Sequence, residues 1–134
     1  MKLVPYVFFY GRCEEALAFY KGVLGGDYEL SKNDEGPMAD QVAPDFKGKV
    51  MHGTFTSGDL TFMASDGMGG KTIDPEAGNI TLCIEADSRA DGERIFQALS
   101  AAGKVKMPFA DAFWGGRFGA LDDRFGIEWY VTSP

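Results

Sequence analysis

The chain has 134 residues, 45% of them hydrophobic and 25% charged, with a formal net charge of −7, which is enough for one domain with its own core and no disulfide or metal staples. An acidic chain without a run of Lys or Arg is a poor match for nucleic acid or an anionic membrane surface, both of which select clustered positive charge, and no apolar segment reaches spanning length. Cys13 and Cys83 are the two cysteines and form no C-x-x-C, so reduced thiols are expected rather than a disulfide or a zinc site, in a soluble cytoplasmic protein without a secretory leader.

Residues 3–10 are rich in Val, Phe and Tyr without a polar interruption, as expected of a strand covered on both faces. After Gly11, Cys13, Ala16, Leu17, Tyr20, Val23 and Leu24 recur at helical spacing and Gly25-Gly26 supplies a stop, which predicts an amphipathic helix. Residues 27–32 suit a short edge strand. Residues 33–48 carry Pro37 and Pro44 and are predicted to be a long loop. A hairpin over residues 50–66 follows, turning at Gly58, and a glycine-rich connection over residues 67–70 leads on to Gly78.

The second half starts over in the same order. Residues 79–85 predict a strand, and Ser88 with Asp91 predicts the capped start of a helix whose buried face is Ile95, Phe96, Leu99 and Ala102, ended by Gly103. Residues 104–109 make a further strand in which Pro108 implies an edge or a bulge. A closing hairpin turns at Asp122-Asp123-Arg124-Phe125-Gly126. Strand, helix and three strands thus occur twice, in modules of about residues 1–66 and 78–134 of a single domain, 1–134. The expected class is α+β: two βαβββ modules form a cupped mixed β-sheet with helices on the outer face, and a small ligand is expected in the cup.

Pro5-Tyr6-Val7-Phe8-Phe9 with Gly11, then Glu15-Ala16-Leu17, Phe19-Tyr20 and Leu24-Gly25, resembles the opening of the vicinal oxygen chelate superfamily. Within it, Gly103-Lys104-Val105, Met107-Pro108, Phe113-Trp114-Gly115, Arg117-Phe118-Gly119 and the run from Asp123 to Trp129 are similar to the PhnB-like branch. The resemblance implies paired βαβββ modules, usually dimeric, related to glyoxalases, fosfomycin and bleomycin resistance proteins and ring-cleaving dioxygenases. Enzymes of the superfamily hold a divalent metal through His or Glu from selected strands. The resemblance puts those positions on Pro5, on one of Phe62, Met63 and Ala64, on Asn79, and on Tyr130, none of them His or Glu.

The expected function is therefore a metal-free, cofactor-free small-molecule-binding module, a homodimer without nucleic-acid or membrane partners. The alternative is a divergent metal-dependent lyase, transferase or dioxygenase-type enzyme rebuilt around His52 with Glu128 or Asp66. His52, the only histidine, and Glu128 are the candidates for acid–base work. Strand alternation puts Asn79, Thr81 and Cys83 on one face and Glu128 and Tyr130 on the corresponding face of the last strand, with Trp129 and Val131 opposite. Phe9, Phe113, Trp114 and Phe118 are candidates for an aromatic wall, and Arg117 and Arg124 for contacts to an anionic ligand. The candidate ligand-binding set is Phe9, His52, Asn79, Thr81, Cys83, Trp114, Glu128 and Tyr130.

Overall fold

The computed structural model describes residues 2–34, 39–67, 69–73 and 80–134. The chain divides into two compact units, Met1–Ile73 and Asp74–Pro134. The first contains β1 (Tyr6–Phe8), α1 (Cys13–Leu24), β2 (Asp27–Lys32), β3 (Val50–Ser57) and β4 (Leu60–Ser65). The second contains β5 (Leu82–Glu85), α2 (Arg89–Ser100), β6 (Lys104–Asp111), β7 (Arg117–Asp122) and β8 (Glu128–Ser133). Their sheets run β1-β4-β3-β2 and β5-β8-β7-β6, each with one parallel pair, β1 with β4 and β5 with β8. The two halves repeat one topology, an α+β fold of two βαβββ modules.

The repeat extends to single residues. Gly53 pairs with Ala64 in the first sheet and Gly119 pairs with Val131 in the second, at the same place in the order of strands. A methyl group at Gly53 would lie 3.2 Å from Leu17 of α1, and one at Gly119 would lie 2.6 Å from Phe96 of α2. In each module a glycine lets the helix settle onto the middle of its sheet.

α1 buries Cys13, Ala16, Leu17, Tyr20 and Val23 against β3 and β4, and the Tyr20 ring stands edge-on to Phe55 and Phe62. Gly25 closes the helix at φ 75°, a conformation that disfavours side chains. The start is unusual: Arg12 occupies the capping position and its side chain caps nothing. Asp66, just past the end of β4, takes that role.

α2 begins as expected, with the Ser88 side chain accepting from the Asp91 amide, and buries Ile95, Phe96 and Leu99. It ends sooner than the sequence suggests, since Ala102 lies beyond the helix, exposed, at φ 60°. Gly103 is needed for proximity, because a Cβ there would strike the Asp122 carbonyl oxygen, and the left-handed conformation falls on Ala102 before it.

Two further readings change. The first strand is three residues long rather than eight, and Tyr6 and Phe8 are each 44% exposed, so it is not covered on both faces. Residues 33–48 contain two 3-10 turns, Ala39–Gln41 and Pro44–Phe46. Fully buried Asn33 ties this segment down: its amide donates to the Phe46 carbonyl at 2.7 Å and its oxygen accepts from the Gly48 amide at 2.9 Å. β6 is an edge strand with register shifts on both sides of Met107, as Pro108 implies.

Candidate functional site

In each module the helix covers one sheet face, and the residues of alternate parity form the other. In the first module the helix side holds Gly53, Phe55, Phe62 and Ala64, all buried. The opposite side brings Tyr6 beside Met63, Thr54 across from Met63, and Ser31 across from His52. The Tyr6 hydroxyl is 3.0 Å from His52 Nδ1, and the Thr54 hydroxyl is 3.4 Å from His52 Nε2. Partial burial holds the Tyr6 phenol above its ordinary range, so it remains protonated. An aromatic row extends along the chain from Tyr6, with Phe8 5.4 Å away between ring centroids and Tyr10 stacked on Phe8 at 5.8 Å. Tyr10 adopts φ 47°, a conformation uncommon outside glycine.

Phe9, expected in the aromatic wall, is 1% exposed and packs against Tyr20 beneath α1. Its neighbour Phe8 takes the outward position, because successive side chains of an extended segment alternate. Asp66, proposed as a partner for His52, is also committed elsewhere. Its Oδ1 accepts from the amides of Gly11 (2.7 Å) and Cys13 (2.8 Å), and its Oδ2 from the amide of Val50 (3.0 Å). A site rebuilt around His52 and Asp66 is therefore not what this carboxylate serves.

In the second module Ile84, Leu121, Trp129 and Val131 are buried on the α2 side. Cys83 pairs with Tyr130 and Asp122 with Glu128 on the other side, together with Thr81 and Phe118. Phe113, Trp114, Phe118 and Tyr130 form a continuous series of edge-on rings with centroids 4.8, 5.6 and 4.9 Å apart. Glu128 accepts from the Lys106 ammonium and the Thr81 hydroxyl, and these bonds, Lys106 first, hold its carboxyl below the ordinary range. Such a carboxylate is neutralised in place and is a weak general base. Partial burial and then Glu85 push the Cys83 thiol up, away from the thiolate a nucleophile needs. Arg117 donates to the Phe109 carbonyl at 2.9 Å and lies over the Phe109 ring, which occupies a group expected to meet an anion. Asp123 is buried rather than engaged in surface pairing: it accepts from Phe125, Ile127 and the Trp129 indole. Arg124 donates to the Ala101 carbonyl. Asn79 lies outside the described residues.

Sequence reasoning missed Tyr6, Phe8, Tyr10 and Lys106. The first three carry a signal, aromatics at every second position, obscured by Phe9 between them. Lys106 carries none, being one of two lysines on an exposed strand.

A polar cleft of about 380 Å³ also opens at the start of α1, bordered by Arg12, Glu14, Glu15 and Lys32 among others. Four of its charges pair with one another, Arg12 with Glu15 at 2.8 Å and Lys32 with Glu14 at 2.6 Å.

The family described as 3-demethylubiquinone-9 3-methyltransferase matches residues 1–132. The chain belongs to this family. It is PhnB-like, and its fold is that of glyoxalase/bleomycin resistance/dioxygenase proteins. The crystal structure of protein PA1353 from Pseudomonas aeruginosa is similar to it at 35% identity, covering 99% of this chain and 97% of that one with a TM-score of 0.86. A PhnB protein from Bacillus cereus has 25% identity, full coverage of both chains (100% each) and a TM-score of 0.79. Protein YjdN of Escherichia coli (strain K12) is 29% identical, over 98% of this chain and 95% of that protein.

The divalent metal of the superfamily's enzymes can be tested against this PhnB-like chain. Phe62 and Ala64 are buried on the helix side, which leaves Met63 as the outward side chain of that strand, and its outward neighbour on β1 is Tyr6 rather than Pro5. A thioether and phenols are a poor donor set for a hard divalent ion. Among the described residues no three His, Cys, Asp or Glu side chains are placed to hold a metal ion. The described residues do not fit the group.

Proposed function

We propose that this PhnB-like protein is a metal-independent small-molecule-binding module. The observation that carries the reading is the sheet face away from α1, where Tyr6 and Phe8 remain 44% exposed, in series with Tyr10 and beside the hydrogen-bonded His52. Aromatic surface with a few convergent polar groups, set on strands, suits a planar organic ligand. The ring series from Phe113 to Tyr130 supports the same reading for the second module.

The family's descriptive name is not carried over as an activity. The connections Phe9-Tyr10-Gly11-Arg12 and Ala86-Asp87-Ser88 lead from strand to helix without the glycine-rich pattern that seats a nucleotide. We take the protein to be a homodimer, a reading supported by large apolar side chains left in the open, Phe113 at 97% and Ile80 at 78%. Two unpaired cysteines suit the cytoplasm.

The test is a screen of planar aromatic fragments by amide chemical-shift mapping, run with and without chelator. Expected are shifts at Tyr6, Phe8, Tyr10 and His52 that chelator leaves unchanged. Binding that appears only with one equivalent of a divalent metal would replace this reading with a metalloenzyme.

A further inference from the structure

His52 sits between two hydroxyls, Tyr6 at Nδ1 and Thr54 at Nε2. A neutral imidazole has one N–H and one lone pair, so it donates to one of these hydroxyls and accepts from the other. An imidazolium has two N–H groups and no lone pair. Both hydroxyl oxygens then accept from the ring, and the hydroxyl that had been donating to it is released to donate outward. Protonation thus changes this patch in two ways at once: it adds a positive charge, and it frees an O–H beside the aromatic row of Tyr6, Phe8 and Tyr10.

The surrounding elements add few other charges. On β2, Glu29 pairs with Thr54 and shares the face of His52, while Ser31 opposite His52 does not titrate. β4 presents Met63 and Ser65, and β1 presents Tyr6, whose phenol is held protonated. Lys32 follows the bulge in β2 and bonds to Glu14 of α1. Glu29 opposes an approaching anion, and a positive charge on His52 offsets that opposition.

We infer that this face takes an aromatic acid, a planar ring bearing an anionic oxygen, and takes it together with one proton on His52. The inference rests on the binding reading above and names its ligand class. The ring lies against Phe8 and Tyr10, and the anionic oxygen meets the Tyr6 hydroxyl and the imidazolium.

The experiment is calorimetric titration of the full chain with 1-naphthoate and with its neutral isostere 1-naphthamide, from about pH 8 to about pH 5.5, the range in which imidazoles titrate. Naphthoate affinity should rise by up to about tenfold per unit of falling pH, with uptake approaching one proton per ligand at the alkaline end, and naphthamide affinity should change by less than about twofold. His52→Gln should abolish the proton uptake and with it the pH dependence of naphthoate binding, and Tyr6→Phe should weaken naphthoate by about tenfold. Equal, pH-independent binding of both probes, or proton uptake that survives His52→Gln, overturns the inference and leaves the binding reading standing. Failure of both probes to bind at any pH removes the binding reading itself.

Discussion

The Asp66 carboxylate lies 2.8 Å from the backbone nitrogen of Cys13 and does for α1 what a capping side chain does at most helix starts. With Gly11 and Val50 also donating to it, one buried carboxylate joins the β1–α1 connection to the start of β3. Asp66→Asn keeps the shape but replaces one acceptor oxygen with an NH₂ group facing a backbone N–H. The expected loss is about 2–4 kcal/mol, seen as a fall in melting temperature of about 8–15 °C. A loss below about 0.5 kcal/mol, the usual range for surface changes, would show that the three bonds are dispensable.

The paired glycines give a graded comparison. A Cβ at Gly119 meets Phe96 at 2.6 Å and the Phe109 backbone at 2.9 Å, whereas at Gly53 the nearest atoms are the flexible ends of Leu30 and Leu17 at 3.1 and 3.2 Å. Gly119→Ala should therefore cost about 2–3 kcal/mol and Gly53→Ala about 1 kcal/mol or less. Urea unfolding of both variants measures the difference, and the reverse order would contradict the packing described.

The thiols should separate by reactivity. Cys13 is fully buried, and burial followed by the charges of Asp66 and Glu14 pushes its thiol up to about 12, while Cys83 is exposed. A disulfide reagent should titrate one thiol per native chain and the second only after unfolding, and Cys83→Ser should abolish the native signal. The folded-state pKa of Cys13 is raised, so its contribution to stability is complete below its ordinary value of 9.0 and is lost as pH rises from there towards about 12. Cys13→Ala should flatten that alkaline decline.

Glu128 has the opposite sign. Its carboxyl is held below the ordinary range by Lys106 and Thr81, so its contribution is present above the ordinary carboxylate range and is lost as pH falls through the folded value. The pair is largely solvated, and Lys106→Ala should cost only about 0.5 kcal/mol near neutrality, less at high salt. Stability curves of the two proteins should converge in acid. A salt-independent gap would mean that Lys106 acts by packing instead.

Much of the fold was legible because periodicity and glycine punctuation are local properties. The repeated βαβββ order, the span and glycine stop of α1, the Ser88 cap and the edge position of β6 all follow from neighbours in sequence. So does the alternation of β8, where Trp129 and Val131 turn inward while Glu128 and Tyr130 turn outward. Alternation could not orient β1, because a run of Val, Phe and Tyr has no polar residue to mark its outer face. The tertiary structure decided that Phe9 goes under α1 and Phe8 stays out. Asp66 looked like site chemistry because a lone carboxylate reads the same whether it meets solvent or three buried amides. Its donors are 55, 53 and 16 residues away. Ala102 took the left-handed turn while Gly103 lies against Asp122, and Tyr6 met His52 across a sheet. The sequence by itself determined the elements and the family, which depend on patterns read along the chain. Only the tertiary structure decided which polar groups are consumed by the backbone and which stay on the open sheet face, because hydrogen bonds between distant segments leave no periodic trace.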